Sequence, residues 1–75
     1  MNKNRRIRIN HIKELTERLV NDLNIILEEE QDYFDNMPEN LQGSSRGMES
    51  EDAIDSLSDI IDKLSEVSDL LDEVV

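Results

Sequence analysis

The second half of the chain repeats its apolar positions every seven residues. From Ala53 onward the heptads AIDSLSD, IIDKLSE and VSDLLDE follow one another, and Val74 and Val75 begin a fourth. A seven-residue apolar repeat drifts slowly around a straight helix of 3.6 residues per turn, so it favours helices that supercoil around a partner. The pattern therefore predicts a long helix that packs against other helices.

The first half of the chain carries a wider apolar stripe. Its members advance in steps of three and four at Ile12, Leu15, Leu19, Leu23, Ile26, Tyr33 and Met37, and Val20, Leu27 and Phe34 widen it. Asn10 is the expected N-cap, and Pro38 disfavours helical angles at the residue before it. We predict a helix over residues 10–36, preceded by a basic arm over residues 1–9.

The segment between the two helices has the composition of a turn. Pro38, Asn40, Gly43 and paired serines are all common where a chain reverses direction. The second helix has two possible starts, one capped by Ser44 or Ser45 and the other by Ser50. The boundaries that we predict are a connector over residues 37–49 and a second helix over residues 50–75 of a single domain.

These elements predict an all-α fold of two long antiparallel helices, a coiled-coil-like helical hairpin. Each apolar stripe is wider than one hairpin can cover, so we expect two hairpins to form a dimeric four-helix bundle. The residues expected at the oligomer interface are Leu19, Leu23, Ile26, Ile54, Leu57, Ile60, Ile61, Leu64, Val67 and Leu71.

Charge is separated along the chain, which has a net charge of -11. Residues 1–18 carry six bases and two acids, a sum of +4, and the remaining 17 acids and two bases give -15. An acidic body repels nucleic acids and anionic lipids and attracts basic protein surfaces. The residues expected to form a partner-binding acidic face are Asp55, Asp59, Asp62, Glu66, Asp69 and Glu73.

Candidate chemistry is sparse in this sequence. There is no cysteine and one histidine, His11, so disulfides, thiolate metal sites and nucleophilic triads are excluded. The segment from Gly43 to Gly47 lacks the lysine of a phosphate-binding loop. We predict no catalytic residue, metal site or cofactor. No apolar run approaches the roughly 20 residues needed to cross a bilayer, and no signal peptide is visible, so we expect a cytoplasmic location without membrane binding.

The middle of the chain resembles a known group of proteins. The run from Glu30 to Arg46, followed by the heptads, is similar to small acidic proteins encoded by phages, prophages and plasmids of Gram-positive bacteria, and NMPENLQ is its most specific part. The resemblance implies a helical hairpin that serves a mobile element in the cytoplasm of a bacterial host. It also implies that the loop contacts a target through Asn36, Pro38, Asn40, Leu41 and Gln42.

Three hypotheses for function follow. In the first, a non-enzymatic interaction protein binds a host defence or DNA-processing protein and inhibits it by imitating DNA, since ten acids and one lysine within residues 49–73 approach the charge density of a duplex when two helices combine. In the second, the basic arm makes a small nucleic-acid-binding regulator through Arg5, Arg6 and Arg8. In the third, the chain is purely a structural oligomerisation module, and the same arginines pair with acids of a neighbouring helix.

Overall fold

The computed structural model describes residues 1–75 and contains three helices and no strand. Helix α1 spans Lys3–Asp35, α2 spans Glu39–Gln42 and α3 spans Ser45–Asp72. At 1.5 Å per residue, α1 is about 50 Å long and α3 about 42 Å long. The two long helices pack against each other in opposite directions. The predicted all-α helical hairpin is confirmed.

Helix α1 begins seven residues earlier than predicted. Asn2, rather than Asn10, is the N-cap, and its Oδ1 accepts a hydrogen bond of 2.8 Å from the backbone amide of Arg5. Lysine and arginine are good helix formers, and a residue added to an existing helix gains a backbone hydrogen bond without a new nucleus. The predicted non-helical arm over residues 1–9 is therefore wrong, and its arginines lie on the first turns of α1.

The connector is shorter than predicted and contains a helical turn of its own. Helix α2 follows directly after Pro38, and α3 begins at Ser45, five residues before the predicted start at residue 50. Ser44 is the N-cap of α3, since its Oγ accepts a hydrogen bond of 3.5 Å from the amide of Gly47. Of the two starts that the sequence left open, the structure has the earlier one.

At its other end, α3 stops at Asp72 instead of continuing to residue 75. The amides of Glu73 and Val74 bond to carbonyls three residues back, at Leu70 and Leu71. Such tighter bonds commonly close the last turn of a helix.

The surface at which α1 and α3 meet, here called the seam, follows a heptad pattern on both helices. Their least exposed residues occur in alternating steps of three and four, which are the a and d positions of a coiled coil. On α1 and just after it, these residues are Ile9, Lys13, Thr16, Val20, Leu23, Leu27, Glu30, Phe34 and Met37. On α3 they are Gly47, Ser50, Ile54, Leu57, Ile61, Leu64, Ser68 and Leu71.

Three side-chain hydrogen bonds cross the seam and set its register. They run from Lys13 Nζ to Asp72 Oδ1, from Ser68 Oγ to Glu17 Oε1 at 3.5 Å, and from Ser50 Oγ to Glu30 Oε1 at 2.9 Å. The C-terminal end of α3 therefore lies beside Lys13. Helix α1 continues almost three turns beyond that point, and its first residues, 3–8, have no α3 residue beside them.

The hairpin has almost no core. Met37 and Ile61 are its only buried apolar residues, and each is 9% exposed. The radius of gyration is 17.2 Å, whereas a compact globular chain of this length would have about 11 Å. Most of the apolar side chains that the sequence supplies must therefore remain in contact with solvent in a single chain.

Candidate functional site: two opposite faces of the hairpin

The two edges of the seam differ in chemistry. In the heptad notation, positions e and b lie on one side of the a and d positions, and positions g and c lie on the other. Two shallow grooves show which edges of α1 and α3 share a side. One is lined by Glu17, Val20, Asn21, Ser65, Ser68 and Asp69, and the other by Gln31, Phe34, Glu51, Ile54 and Asp55. Both contain e positions of both helices, so the e edges form one face and the g edges form the opposite face.

The face built from the e and b positions is here called the acidic face. Its carboxylates are Glu14, Glu17, Glu28, Asp35, Glu51, Asp55, Asp62, Asp69 and Asp72. Within residues 14–35 of α1 and 51–72 of α3, the remaining e and b positions are Asn, Gln and Ser, and none is Lys or Arg. Nine carboxylates over about 32 Å of helix give about one per 4 Å, close to the 3.4 Å spacing of phosphates along one DNA strand.

Lys13 is the one cation that reaches the acidic face. Its ammonium lies 3.7 Å from Glu17 Oε1 and donates a hydrogen bond to Asp72 Oδ1, and these are the only ion pairs in the structure. The hydrogen bond to Asp72 raises the pKa of Lys13, as do the charges of Asp72 and Glu17, while desolvation opposes them. This lysine fastens the end of α3 to α1.

The predicted acidic residues of α3 are all exposed, as a partner-binding surface requires. Asp55, Asp62 and Asp69 occupy b positions on the acidic face. Asp59, Glu66 and Glu73 occupy f positions on the outer side of α3, which extends the negative surface around the helix. Whether another protein binds there stays a prediction.

The opposite face carries a continuous double row of apolar side chains, here called the apolar ladder. Its α1 members are Ile12, Leu19, Ile26 and Tyr33, and its α3 members are Ala53, Ile60, Val67 and Val74. All are g positions. Ala53 is half-buried, and the other seven are between 44% and 53% exposed. The hydrogen bonds from Lys13 to Asp72 and from Ser68 to Glu17 bring Ile12 level with Val74 and Leu19 level with Val67. Continued by whole heptads, this register aligns Ile26 with Ile60 and Tyr33 with Ala53, which makes four rungs.

The ten residues predicted for the oligomer interface divide between the seam and the ladder. Leu23, Ile54, Leu57, Ile61, Leu64 and Leu71 line the seam inside one hairpin, so the structure does not offer them to a second chain. Leu19, Ile26, Ile60 and Val67 belong to the apolar ladder and are exposed. The sequence alone did not separate the two sets, because both follow the same seven-residue period.

The first turns of α1 form a basic extension, defined as residues 3–8. It carries Lys3, Arg5, Arg6 and Arg8 and no acid, and all four side chains lack an ion-pair partner within the hairpin. Arg5 and Arg8 line a shallow groove with Met1, Ile9 and Ile12. Because Ile12 is the first member of the apolar ladder, this groove opens on the ladder side of the molecule.

The loop residues predicted to contact a target have two different environments. Asn36, Pro38, Asn40 and Leu41 are exposed, and Leu41 retains 39% of its surface. Gln42 is engaged within the chain: its Nε2 donates to the carbonyls of Phe34 at 3.3 Å and Met37 at 3.2 Å. Gln42 therefore satisfies carbonyl groups at the end of α1, a structural role that its position in the loop did not indicate.

Neither long helix has an apolar stretch sufficient to cross a lipid bilayer. The structure contains no group of three or more histidine, cysteine, aspartate or glutamate side chains arranged to hold a metal ion. Comparison of the chain with models of protein families, with curated proteins and with solved structures gives no match.

Proposed function

We propose that this chain is a non-enzymatic interaction protein that pairs with a second copy through the apolar ladder and presents its acidic faces to a basic surface of another protein. The observation that supports the proposal is that apolar and acidic side chains lie on opposite faces of the hairpin. Seven exposed apolar side chains occupy one face, and nine carboxylates occupy the other.

Self-association is supported by the size of the apolar ladder. The rungs extend over about 32 Å, and two neighbouring helices are about 20 Å wide, so each copy would bury about 640 Å² and the pair about 1,300 Å². That area falls within the range of stable protein interfaces. A monomer of 75 residues with two buried apolar side chains has little else to hold it together.

A second copy is also the partner that suits the charges. The ladder positions themselves carry no charged residue, so the apolar contact between two ladders contains no charge. The acidic faces of both copies then point away from the interface in opposite directions. Such a bundle offers two rows of carboxylates with a spacing near that of phosphates, which favours a protein groove that normally holds nucleic acid.

The resemblance to phage and plasmid proteins suggests the setting of this function. In that setting the bound protein belongs to the bacterial host and handles DNA, and occupation of its groove inhibits it. The Leu41 and Asn40 side chains, exposed at the loop, would then lie at the edge of the contact.

The ladder is tested with two neighbouring isoleucines of α1. Ile26 is 48% exposed and belongs to the ladder, whereas Ile25 is 55% exposed and lies on the outer side of α1. We expect Ile26→Asp to convert a dimer into monomers in sedimentation equilibrium, while Ile25→Asp leaves the dimer intact. A wild-type chain that sediments as a monomer at all concentrations would contradict self-association.

The acidic face is tested with variants of equal charge. A partner captured by the tagged protein from a bacterial lysate is purified, and its binding is measured with and without competing duplex DNA. We expect Asp55→Asn, Asp62→Asn and Asp69→Asn together to weaken binding more than Asp52→Asn, Asp59→Asn and Glu66→Gln together, because only the first set lies on the acidic face. Binding that duplex DNA does not displace would contradict imitation of DNA.

A further inference from the structure

The basic extension makes no ion pair inside its own hairpin. It projects about two turns beyond the end of α3, its four cations are unpaired, and its groove opens on the same side as the apolar ladder. Four positive charges on a chain of net charge -11 are a large departure from the rest of the surface. Whatever covers the apolar ladder will also lie next to these arginines.

The other end of the hairpin has the opposite charge. Asp32, Asp35 and Glu39 lie at the end of α1 and in α2, all exposed, and no lysine or arginine occurs between residues 19 and 45. The single chain thus has a positive end at the basic extension and a negative end at the loop. The two ends are separated along the long dimension of the molecule, which is 59 Å.

We propose that two copies pack ladder to ladder in opposite directions, so that the basic extension of each copy lies against the acidic loop end of the other. This inference rests on the proposed self-association and adds its direction and its ion pairs. The two-fold axis runs across the helices, between Asp22 and Leu23 of the two α1 helices and between Lys63 and Leu64 of the two α3 helices.

The apolar ladder is self-complementary in this arrangement. Each α1 packs on α1 of the second copy, with Leu19 against Ile26 and Ile12 against Tyr33. Each α3 packs on the other α3, with Ile60 against Val67 and Ala53 against Val74. Every contact occurs twice, as a two-fold interface requires. Residues 3–8 then lie level with residues 37–42 of the second copy, which include its Glu39, and its Asp32 lies nearby on the outer side of α1.

The charges at the two ends favour this direction over the alternative. At the centre the balance is the reverse, since the proposed arrangement places Asp22 beside Asp22 and Lys63 beside Lys63, whereas the alternative pairs Asp22 with Lys63. The four cations of each basic extension outnumber these central charges. If the two hairpins instead pointed the same way, α1 would pack on α3 of the second copy with the same rungs in register. The apolar contacts would be equally good, but the two basic extensions would lie side by side, and so would the two acidic loop ends. Juxtaposed like charges oppose association, whereas opposite charges favour it and fix the orientation.

Disulfide trapping distinguishes the two directions, because the natural chain has no cysteine. Chains with Asp22→Cys and chains with Lys63→Cys are given different tags, mixed and oxidised. The proposed arrangement yields disulfides only between identical chains, 22 to 22 and 63 to 63. Packing in the same direction yields only disulfides between position 22 and position 63. Asn21→Cys, on the acidic face, is the control and should form no disulfide.

Charge reversal tests the ion pairs. Arg5→Glu, Arg6→Glu and Arg8→Glu together should weaken the dimer about tenfold or more at low salt, and much less at high salt. Adding Asp32→Lys and Glu39→Lys to the same chain should restore most of the wild-type affinity. Failure of that restoration, with the helical circular dichroism signal unchanged, would overturn the proposed contact.

The outcomes separate this inference from the function on which it rests. A monomeric wild-type chain contradicts both. A dimer that forms only 22-to-63 disulfides contradicts the direction and leaves self-association intact. The remaining outcome has two parts: the arginine substitutions leave the dimer affinity unchanged, and wild type binds duplex DNA in a salt-dependent manner that the arginine variant loses. That outcome would overturn the proposed contact and show that the basic extension binds nucleic acid.

Discussion

The ammonium of Lys13 in the second quarter of α1 donates a hydrogen bond to the carboxylate of Asp72, the last residue of α3. The Lys13 side chain is 24% exposed and that of Asp72 is 54% exposed, so the pair lies at the rim of the seam. It fixes where α3 ends along α1. Residues 3–8 lie beyond the end of α3, so the side chains of the basic extension are exposed to solvent.

This pair should make stability depend on pH in the alkaline range. The folded state raises the pKa of Lys13 above its ordinary value of 10.5, chiefly through the hydrogen bond to Asp72. A lysine whose pKa is higher in the folded state than in the unfolded state stabilises the fold fully at pH values below its unfolded-state pKa. This stabilisation is lost as the pH rises through its folded-state pKa. We expect wild type to melt at a higher temperature than Asp72→Asn at pH 7 to 9, and the difference to shrink above about pH 10.5. A difference that stays constant to pH 12 would contradict this role.

A second prediction concerns the two glycines near the turn. A Cβ added at Gly47 would lie 2.0 Å from the backbone oxygen of Gln42, whereas a Cβ at Gly43 would meet nothing within 4 Å. Helix propensity alone predicts that Gly47→Ala stabilises α3 by about 1 kcal/mol. Because the clash involves backbone atoms, we expect the opposite sign, a loss of about 1–3 kcal/mol in chemical denaturation.

Gly43→Ala is the matched control for the glycine prediction. Its backbone angles are right-handed, with φ at -84° and ψ at 0°, so alanine fits without strain. The expected effect is neutral or a gain of about 0.5 kcal/mol through a less flexible unfolded chain. Equal effects of the two substitutions would show that contact with Gln42 does not limit residue 47.

A third prediction concerns the polar pair within the seam. Ser50 is 2% exposed, and its hydroxyl donates to the Glu30 carboxylate at 2.9 Å. Removing only the hydroxyl leaves the half-buried Glu30 carboxylate with one hydrogen-bond donor fewer. Ser50→Ala should therefore lower the free energy of unfolding by about 1 kcal/mol. Replacing both groups, as Glu30→Leu with Ser50→Ala, should instead stabilise the protein by about 1–2 kcal/mol. Urea denaturation at a fixed protein concentration measures both, and a destabilised double variant would contradict the prediction.

A fourth prediction separates the seam from the apolar ladder on α3. Leu64 is half-buried in the seam, while Ile60, four residues earlier, is 45% exposed on the ladder. Leu64→Asp should abolish the helical circular dichroism signal, because it places a charge between α1 and α3. Ile60→Asp should lower the molecular mass while much of the helicity remains at high protein concentration. Identical behaviour of the two variants would mean that the seam and the ladder are not independent.

The heptads after Ala53 were sufficient to predict α3 and its supercoiling partner, because seven-residue periodicity is a property of the sequence itself. They were not sufficient to say which apolar row forms the seam. On α1, the row through Ile12, Leu19 and Ile26 is more apolar than the row through Lys13 and Glu30, yet the structure exposes the first and turns the second toward α3. The turn holds α3 close to the end of α1, since Gly47 approaches the backbone of Gln42 and Met37 is buried, and heptad periodicity alone does not reveal these contacts.

The helix ends depended on contacts that local sequence does not reveal. Asn2 and Asn10 are equally good N-caps by residue type, and the hydrogen bond from Arg5 shows which is used. Gln42 also looked like an exposed loop residue, although its amide binds two carbonyls near the end of α1. The acidic face was easier to anticipate, since Asp55, Asp62 and Asp69 are separated by whole heptads and must share one side of a helix.

Met37 and Ile61 are the only buried apolar residues of a single hairpin. We therefore expect the lifetime of the protein in a cell to depend on its own concentration. We expect a solitary copy with so small an interior to open readily, and proteases cut the open form. In the proposed dimer, pairing would withdraw copies from the open population by mass action, so survival would rise with the rate of synthesis. Accumulation should therefore show a threshold: weak expression yields fragments, and strong expression yields intact protein.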